Sequence, residues 1–173
     1  MKQNIFKSIN LKSDIAYPER LSHYFPTAKT MSLIKAIVFG ESTSVNFVIA
    51  PYGSGKSLAS GVATVLINNQ QDQREHLRHF ETVFSEYNNS LSDFIQSRLR
   101  TETFGKVVLL YGFESDLITQ ISEAFGVSYD GKLDFVSQLD LIKQQTFSSI
   151  DRVAIIWDEF GRHLENLVDQ GQS

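Results

Sequence analysis

Apolar positions along this chain fall into two periods, and each change of period marks an element. Met31, Ile34, Ala36, Ile37 and Val38 recur at helical spacing between Thr27, a helix-capping residue type, and Gly40, a helix stop. They predict a helix from Ala28 to Phe39. Val45-Asn46-Phe47-Val48-Ile49 is almost wholly apolar, as in a strand covered on both faces, and predicts the first strand. A helical pattern from Leu58 to Ile67 follows. Beyond the polar break from Asn68 to Asp72, Leu77, Phe80, Val83, Phe84 and Tyr87 keep a helical period, as do Leu91, Phe94, Ile95 and Leu99. Asn88-Asn89-Ser90 divides these into two helices, because such side chains compete for backbone groups. Lys106 to Tyr111 predicts a second buried strand. A helix over about 115–125 ends at Gly126. Another over about 133–147 follows the turn Tyr129-Asp130-Gly131. Arg152 to Trp157 predicts a third strand, and Leu164 to Val168 a last helix. Residues 1–26 read as irregular, since Pro18 and Pro26 disfavour a long helix.

Strands alternating with helices predict an α/β fold: a parallel sheet with three strands in view, flanked by helices. The helical stretch at about 70–103 reads as an insertion or a side-packed helical hairpin. The predicted organisation is a lead-in segment over 1–40 and one main domain over 41–173.

Composition narrows the function classes. The 173 residues suffice for one substantial core. A net charge of -4 gives no global pull toward nucleic acid or an anionic membrane, though a local basic patch remains compatible with it. The absence of cysteine excludes disulfides and thiolate metal sites. The first ten residues lack the apolar core of a signal peptide, and no apolar run nears the ~20 residues that span a bilayer. The expected location is the cytoplasm, with no membrane partner.

The chemistry concentrates in Ala50-Pro51-Tyr52-Gly53-Ser54-Gly55-Lys56-Ser57, set between the first predicted strand and the Leu58 helix. Gly53 and Gly55 let the backbone approach phosphate oxygens and aim N–H groups at them. Lys56 adds a mobile positive charge for the terminal phosphates, Ser57 a hydroxyl for Mg2+, and the helix start its positive dipole end. The binding segment is thus Ala50 through Leu58. A second constellation closes the third strand: Asp158 stands at its carboxyl end, where α/β sheets gather ligands, and would hold Mg2+. Glu159, one residue on, would orient or deprotonate an attacking water.

Ala50 to Ser57 resembles a Walker A motif, and Arg152 to Glu159 a Walker B motif with its adjacent catalytic glutamate. Together they resemble P-loop NTPases of the additional-strand, catalytic-glutamate division, which includes AAA+ and STAND ATPases. The likeness covers about residues 40–165. The continuation from Asp158 to Glu165 also resembles the Asp-Glu-Phe-Gly-containing Walker B region of large bacterial ATPases associated with phage defence. This resemblance implies Mg-dependent ATP hydrolysis coupled to conformational change or assembly, with Lys56 and Glu159 catalytic. It places 152–157 beside a central strand 45–49, with 106–111 outside 152–157. It also implies further strands that carry a sensor and an arginine finger, supplied by further core segments, other subunits or a homo-oligomer. The chain is accordingly expected to be a fragment of a larger ATPase. Adenine over guanine rests on the same likeness and on the lack of an Asn-Lys-x-Asp signature.

Two other functions use the same loop. One is a non-catalytic nucleotide switch or scaffold. The other is a small-molecule kinase, disfavoured by Glu159 and by the short chain left for a lid. Among the remaining residues, His76 and His79 read as a solvated helix face, and His163 as a surface or packing residue, with reach to the acids as the alternative. Arg74, Arg78, Arg98, Arg100 and Arg152 receive no role. Tyr24-Phe25 reads first as an aromatic anchor for the N-terminal segment; the resemblance adds adenine stacking as the alternative.

Overall fold

The helix that follows the glycine turn has almost no polar face. Ala59-Ser60-Gly61-Val62-Ala63-Thr64-Val65-Leu66-Ile67 is buried throughout, as expected when neighbours cover a helix on all sides. The computed structural model describes residues 18–40, 45–49, 51, 53–113, 116–148 and 150–171. The chain forms two compact units, Met1–Glu102 and Thr103–Ser173.

In the first unit, a 3-10 helix, Pro18–His23, leads to α1 (Ala28–Phe39), α2 (Lys56–Asn68), α3 (Arg74–Ser85) and α4 (Asn89–Arg100). Both the 3-10 helix and α1 pack on α2, and α3 packs on α4. Thr27 and Thr30 form a reciprocal capping box at the start of α1: each backbone N–H is received by the other's side-chain hydroxyl, at 3.2 and 3.0 Å. Leu77, Phe80 and Phe84 bury one face of α3 against Leu91 and Ile95 of α4. The predicted break between them is present, and Asn88 Oδ1 caps α4 by accepting from Leu91 N at 3.1 Å.

The carboxyl end of α2 is locked by buried polar contacts. Asn69 adopts a left-handed backbone, φ 51°, and its N–H donates to the Val65 carbonyl. Arg98 is buried, and its Nη2 donates to the Ile67 carbonyl at 2.6 Å. A cation at this end complements the helix dipole. Asn69 Nδ2 in turn donates to the Arg98 carbonyl at 3.0 Å. Arg74 donates to the carbonyls of Leu99 and Thr101 at the end of α4. Two of the arginines that carried no sequence-based role are therefore structural.

The second unit holds a two-stranded parallel sheet. β1 (Phe104–Tyr111) pairs with β2 (Ile150–Asp158), with Val108 opposite Ile155 and Tyr111 opposite Asp158. The connection between them carries α5 (Leu117–Phe125) and α6 (Phe135–Thr146); α7 (Phe160–Gly171) follows β2. Val108, Leu110, Ile121, Val127 and Ile142 form the core under these helices. Gln138 is buried there because its amide is satisfied: Nε2 donates to Ser122 Oγ at 3.0 Å and to the Ser128 carbonyl at 3.1 Å. α7 is longer than the Leu164–Val168 pattern suggested. Its apolar positions, Leu164, Leu167 and Val168, are exposed, so burial does not set its ends.

The architecture is α/β with a parallel sheet, but two strands stand where three were expected. Residues 45–49 join no ladder among the described residues. Val45, Phe47 and Ile49 are 78, 75 and 99% exposed. The reason is general: an apolar, β-branched run becomes a strand only where a partner edge takes its N–H and C=O groups, and no local sequence pattern supplies that edge. No described helix is long and apolar enough to cross a membrane.

Candidate functional site

The glycine turn lies in the first unit. Ala50 and Tyr52 fall outside the described residues; Pro51 and Gly53 through Leu58 fall within them. Gly53 and Gly55 both take left-handed backbones, with φ +74° and +83°. Their requirements differ. A Cβ on Gly53 meets nothing within 4 Å, so only its φ demands glycine. A Cβ on Gly55 would also stand 3.0 Å from Thr30 Cγ2. Thr30 is thus the floor beneath the turn. It is buried, completes the capping box with Thr27, and its Oγ1 shares a 2.9 Å hydrogen bond with the buried Tyr24 hydroxyl. Burial in this apolar setting pushes the Tyr24 phenol above its ordinary pKa, and the Thr30 hydrogen bond offsets part of that.

Gly55 is the N-cap of α2, so no side chain caps the helix, and its first turn carries no acidic residue. The first N–H groups of an α-helix lack intrahelical acceptors. Here Gly55 supplies no side-chain cap and the first turn itself holds no acidic residue, features that suit a helix start to an anion. Lys56 folds its ammonium back over the turn, where Nζ donates to the Pro51 carbonyl at 3.0 Å and to Ser54 Oγ at 3.4 Å. The turn closes with Ser54 N donating to the same carbonyl at 3.3 Å. Ser57 and Leu58 are half-buried at the first turn of α2.

The predicted acids lie in the second unit, at the carboxyl end of β2. Two bonds draw the strand ends together here: Gly112 N donates to the Asp158 carbonyl, and Trp157 Nε1 to the Gly112 carbonyl, both at 2.9 Å. Asp158 Oδ1 accepts from Glu159 N at 3.1 Å. Glu159 has φ +55°, a left-handed conformation that costs a non-glycine residue about 1–2 kcal/mol. Such strain persists only where the surroundings fix it, and it clusters at functional positions.

The surroundings of Glu159 are specific. Its Oε2 is buried and accepts no hydrogen bond, but Arg162 Nε stands 2.9 Å away as an ion pair. The Tyr111 hydroxyl hydrogen-bonds the same carboxylate, which raises the phenol's pKa because the bond favours its protonated form. Phe113, Trp157, Phe160 and His163 pack on one another around this strand end, with ring centroids 4.5 Å apart for Trp157 and His163. His163 therefore has the packing role expected of it. His79 is likewise engaged, with Nε2 3.0 Å from the Ser22 carbonyl.

Tyr24 is the anticipated anchor, packed on Phe84 with centroids 5.8 Å apart, whereas Phe25 keeps 67% of its surface exposed. Four residues that brace the candidate sites or the elements carrying them had no sequence-based role: Thr30, Tyr111, Arg98 and Arg162. The Glu159–Arg162 spacing of three was a readable helix-pair signal. Tyr111 was not readable, because only the strand register sets it opposite Asp158.

Among the described residues, no group of three or more His, Asp or Glu is assembled for a metal. Mg2+ does not need one: it is commonly held by one or two protein oxygens together with substrate phosphates and water. Ser57 in the first unit and Asp158 in the second each carry an oxygen of the kind Mg2+ takes. Compared with known protein families, curated proteins and solved structures, the chain matches none of them.

Proposed function

We propose that the chain binds Mg-ATP through residues 50–58 and hydrolyses it, coupling turnover to conformational change or assembly within a larger ATPase. One observation carries the reading: two left-handed glycines set Lys56 and Ser57 at the start of an uncapped, acid-free, buried helix. Backbone donors there would cradle phosphate oxygens, and Lys56 would exchange its contact with the Pro51 carbonyl for the terminal phosphates. Arg98 and Thr30 hold this helix and its turn in place, so the donors are preorganised.

Ser57 and Asp158 would hold the metal, which when bound neutralises charge on the β- and γ-phosphates. Glu159 would accept a proton from the attacking water. Support comes from its place at a parallel strand's carboxyl end, its strained backbone and its buried oxygen. Sensor and arginine-finger groups would come from further core segments or subunits, as the likeness to P-loop NTPases implies.

Lys56→Ala and Glu159→Gln separate binding from chemistry. Lys56→Ala is expected to lose ATP affinity by at least about tenfold, a charge-assisted contact of 1.5–3 kcal/mol. Glu159→Gln should retain binding and lose phosphate release. Equal ATP affinity in wild type and Lys56→Ala would end this reading.

A further inference from the structure

We infer that Arg162 and Tyr111 are positioning residues for the Glu159 carboxylate, fixing it for attack by water rather than holding it out of use. The inference rests on the ATPase reading.

The geometry comes first. Glu159 leaves β2 on a left-handed backbone, so its side chain departs from the strand's alternation. Arg162 reaches it from the first turn of α7, and Arg162 N donates to the Glu159 carbonyl at 3.0 Å, tying the same two residues through the backbone. Tyr111 reaches it from the last position of β1. The carboxylate is thus held from two elements of the unit, by a cation and by a neutral donor. The Glu159 side chain is 20% exposed, and its Oε2 is fully enclosed.

Chemistry then selects positioning over sequestration. An ionised carboxylate has about four lone-pair sites. One cation and one phenol leave acceptor capacity for a water. The Arg162 side chain is 60% exposed, so solvent screens its charge while the 2.9 Å Nε contact still restrains the carboxylate. A free glutamate would instead spread over its rotamers. Misplacing a reacting group by about 1 Å can cost on the order of a hundredfold in rate.

The experiment measures Mg-ATP binding and steady-state phosphate release by the full chain, with a thermal melt for each variant. Arg162→Ala is expected to lower kcat about tenfold, a fraction of a general base's usual contribution, and to leave KM within about twofold. Arg162→Lys should recover part of that, and Tyr111→Phe should lose about threefold, because a neutral hydrogen bond is the weaker restraint. In a Glu159→Gln background, Arg162→Ala should add no further loss, since residues acting through one group are not additive. A kcat that is unchanged or raised in Arg162→Ala, with wild type active, overturns the positioning role. Equal losses in the presence and absence of the Glu159 carboxylate overturn it too. Wild type that binds Mg-ATP without releasing phosphate overturns the ATPase reading instead, and the inference falls with it.

Discussion

Arg98 Nη2 donates to the Ile67 carbonyl at 2.6 Å, at the far end of the helix that opens with Lys56. The contact joins α4 to the carboxyl end of α2 and puts a buried cation where the helix dipole is negative. Arg98→Met would keep most of the volume and leave the Ile67 carbonyl without its donor. The expected loss is about 2–3 kcal/mol, the scale of a hydrogen bond to a charged group. Arg98→Lys should recover little, because an ammonium lacks the fork. Urea unfolding measures both, and an unchanged midpoint would remove Arg98 from this account.

The two glycines of the turn should respond differently to the same methyl group. Gly53→Ala meets open space and carries only the backbone term, about 1–2 kcal/mol at φ +74°. Gly55→Ala carries that term and also drives a Cβ against Thr30 Cγ2. It should be the more destabilised of the two and should lose more ATP affinity. Adding Thr30→Ser removes the obstructing methyl but keeps the hydroxyl that Tyr24 and Thr27 use, so it should restore part of the stability and not all of it. Equal losses from the two single variants would show that Thr30 does not brace the turn.

Helices were legible where a cap and a period agreed. Thr27, Gly40 and the apolar spacing bounded Ala28–Phe39 correctly because those signals are local. Both paired strands were legible for the same reason, as short apolar runs between turns. Residues 45–49 carry an equally strong run and form no ladder among the described residues, because pairing depends on a partner edge that a strand's own composition cannot specify. At the site, Lys56, Ser57, Asp158 and Glu159 could be proposed from residue type and spacing. Thr30, Arg98 and Tyr111 could not, since each acts across a tertiary contact. Thr30 looks like an ordinary capping partner until Gly55 is seen above it. Arg98 looks like a solvated helix charge until its burial is known.

Alkaline pH should weaken the first unit through Tyr24. Burial raises its phenol above the ordinary value of about 10. In the window from about pH 10 to the folded pKa, the folded state binds more protons than the unfolded one, so stability falls as pH rises. The contribution is complete below about pH 10 and disappears as the pH passes the folded pKa. Tyr24→Phe removes that titration and also the hydrogen bond to Thr30. It should lose about 1 kcal/mol at pH 8 and show a shallower decline above about pH 10. Urea midpoints across that range test it; parallel declines in variant and wild type would acquit Tyr24.

Asp158→Asn offers the cleanest separation of metal from turn. Asp158 Oδ1 accepts the Glu159 N–H at 3.1 Å, and an asparagine carbonyl oxygen can accept the same bond, so the strained turn should survive. What the substitution removes is the negative charge proposed to hold Mg2+. Thermal stability without nucleotide should therefore stay close to wild type. Hydrolysis should fall about a hundredfold or more, the scale of several kcal/mol of metal-based charge stabilisation. Chelation by EDTA should bring wild type down to the same residual rate and change the variant little, while both still bind ATP through the glycine turn. A variant that keeps full Mg-dependent turnover would show that Asp158 is only the acid that closes a strand.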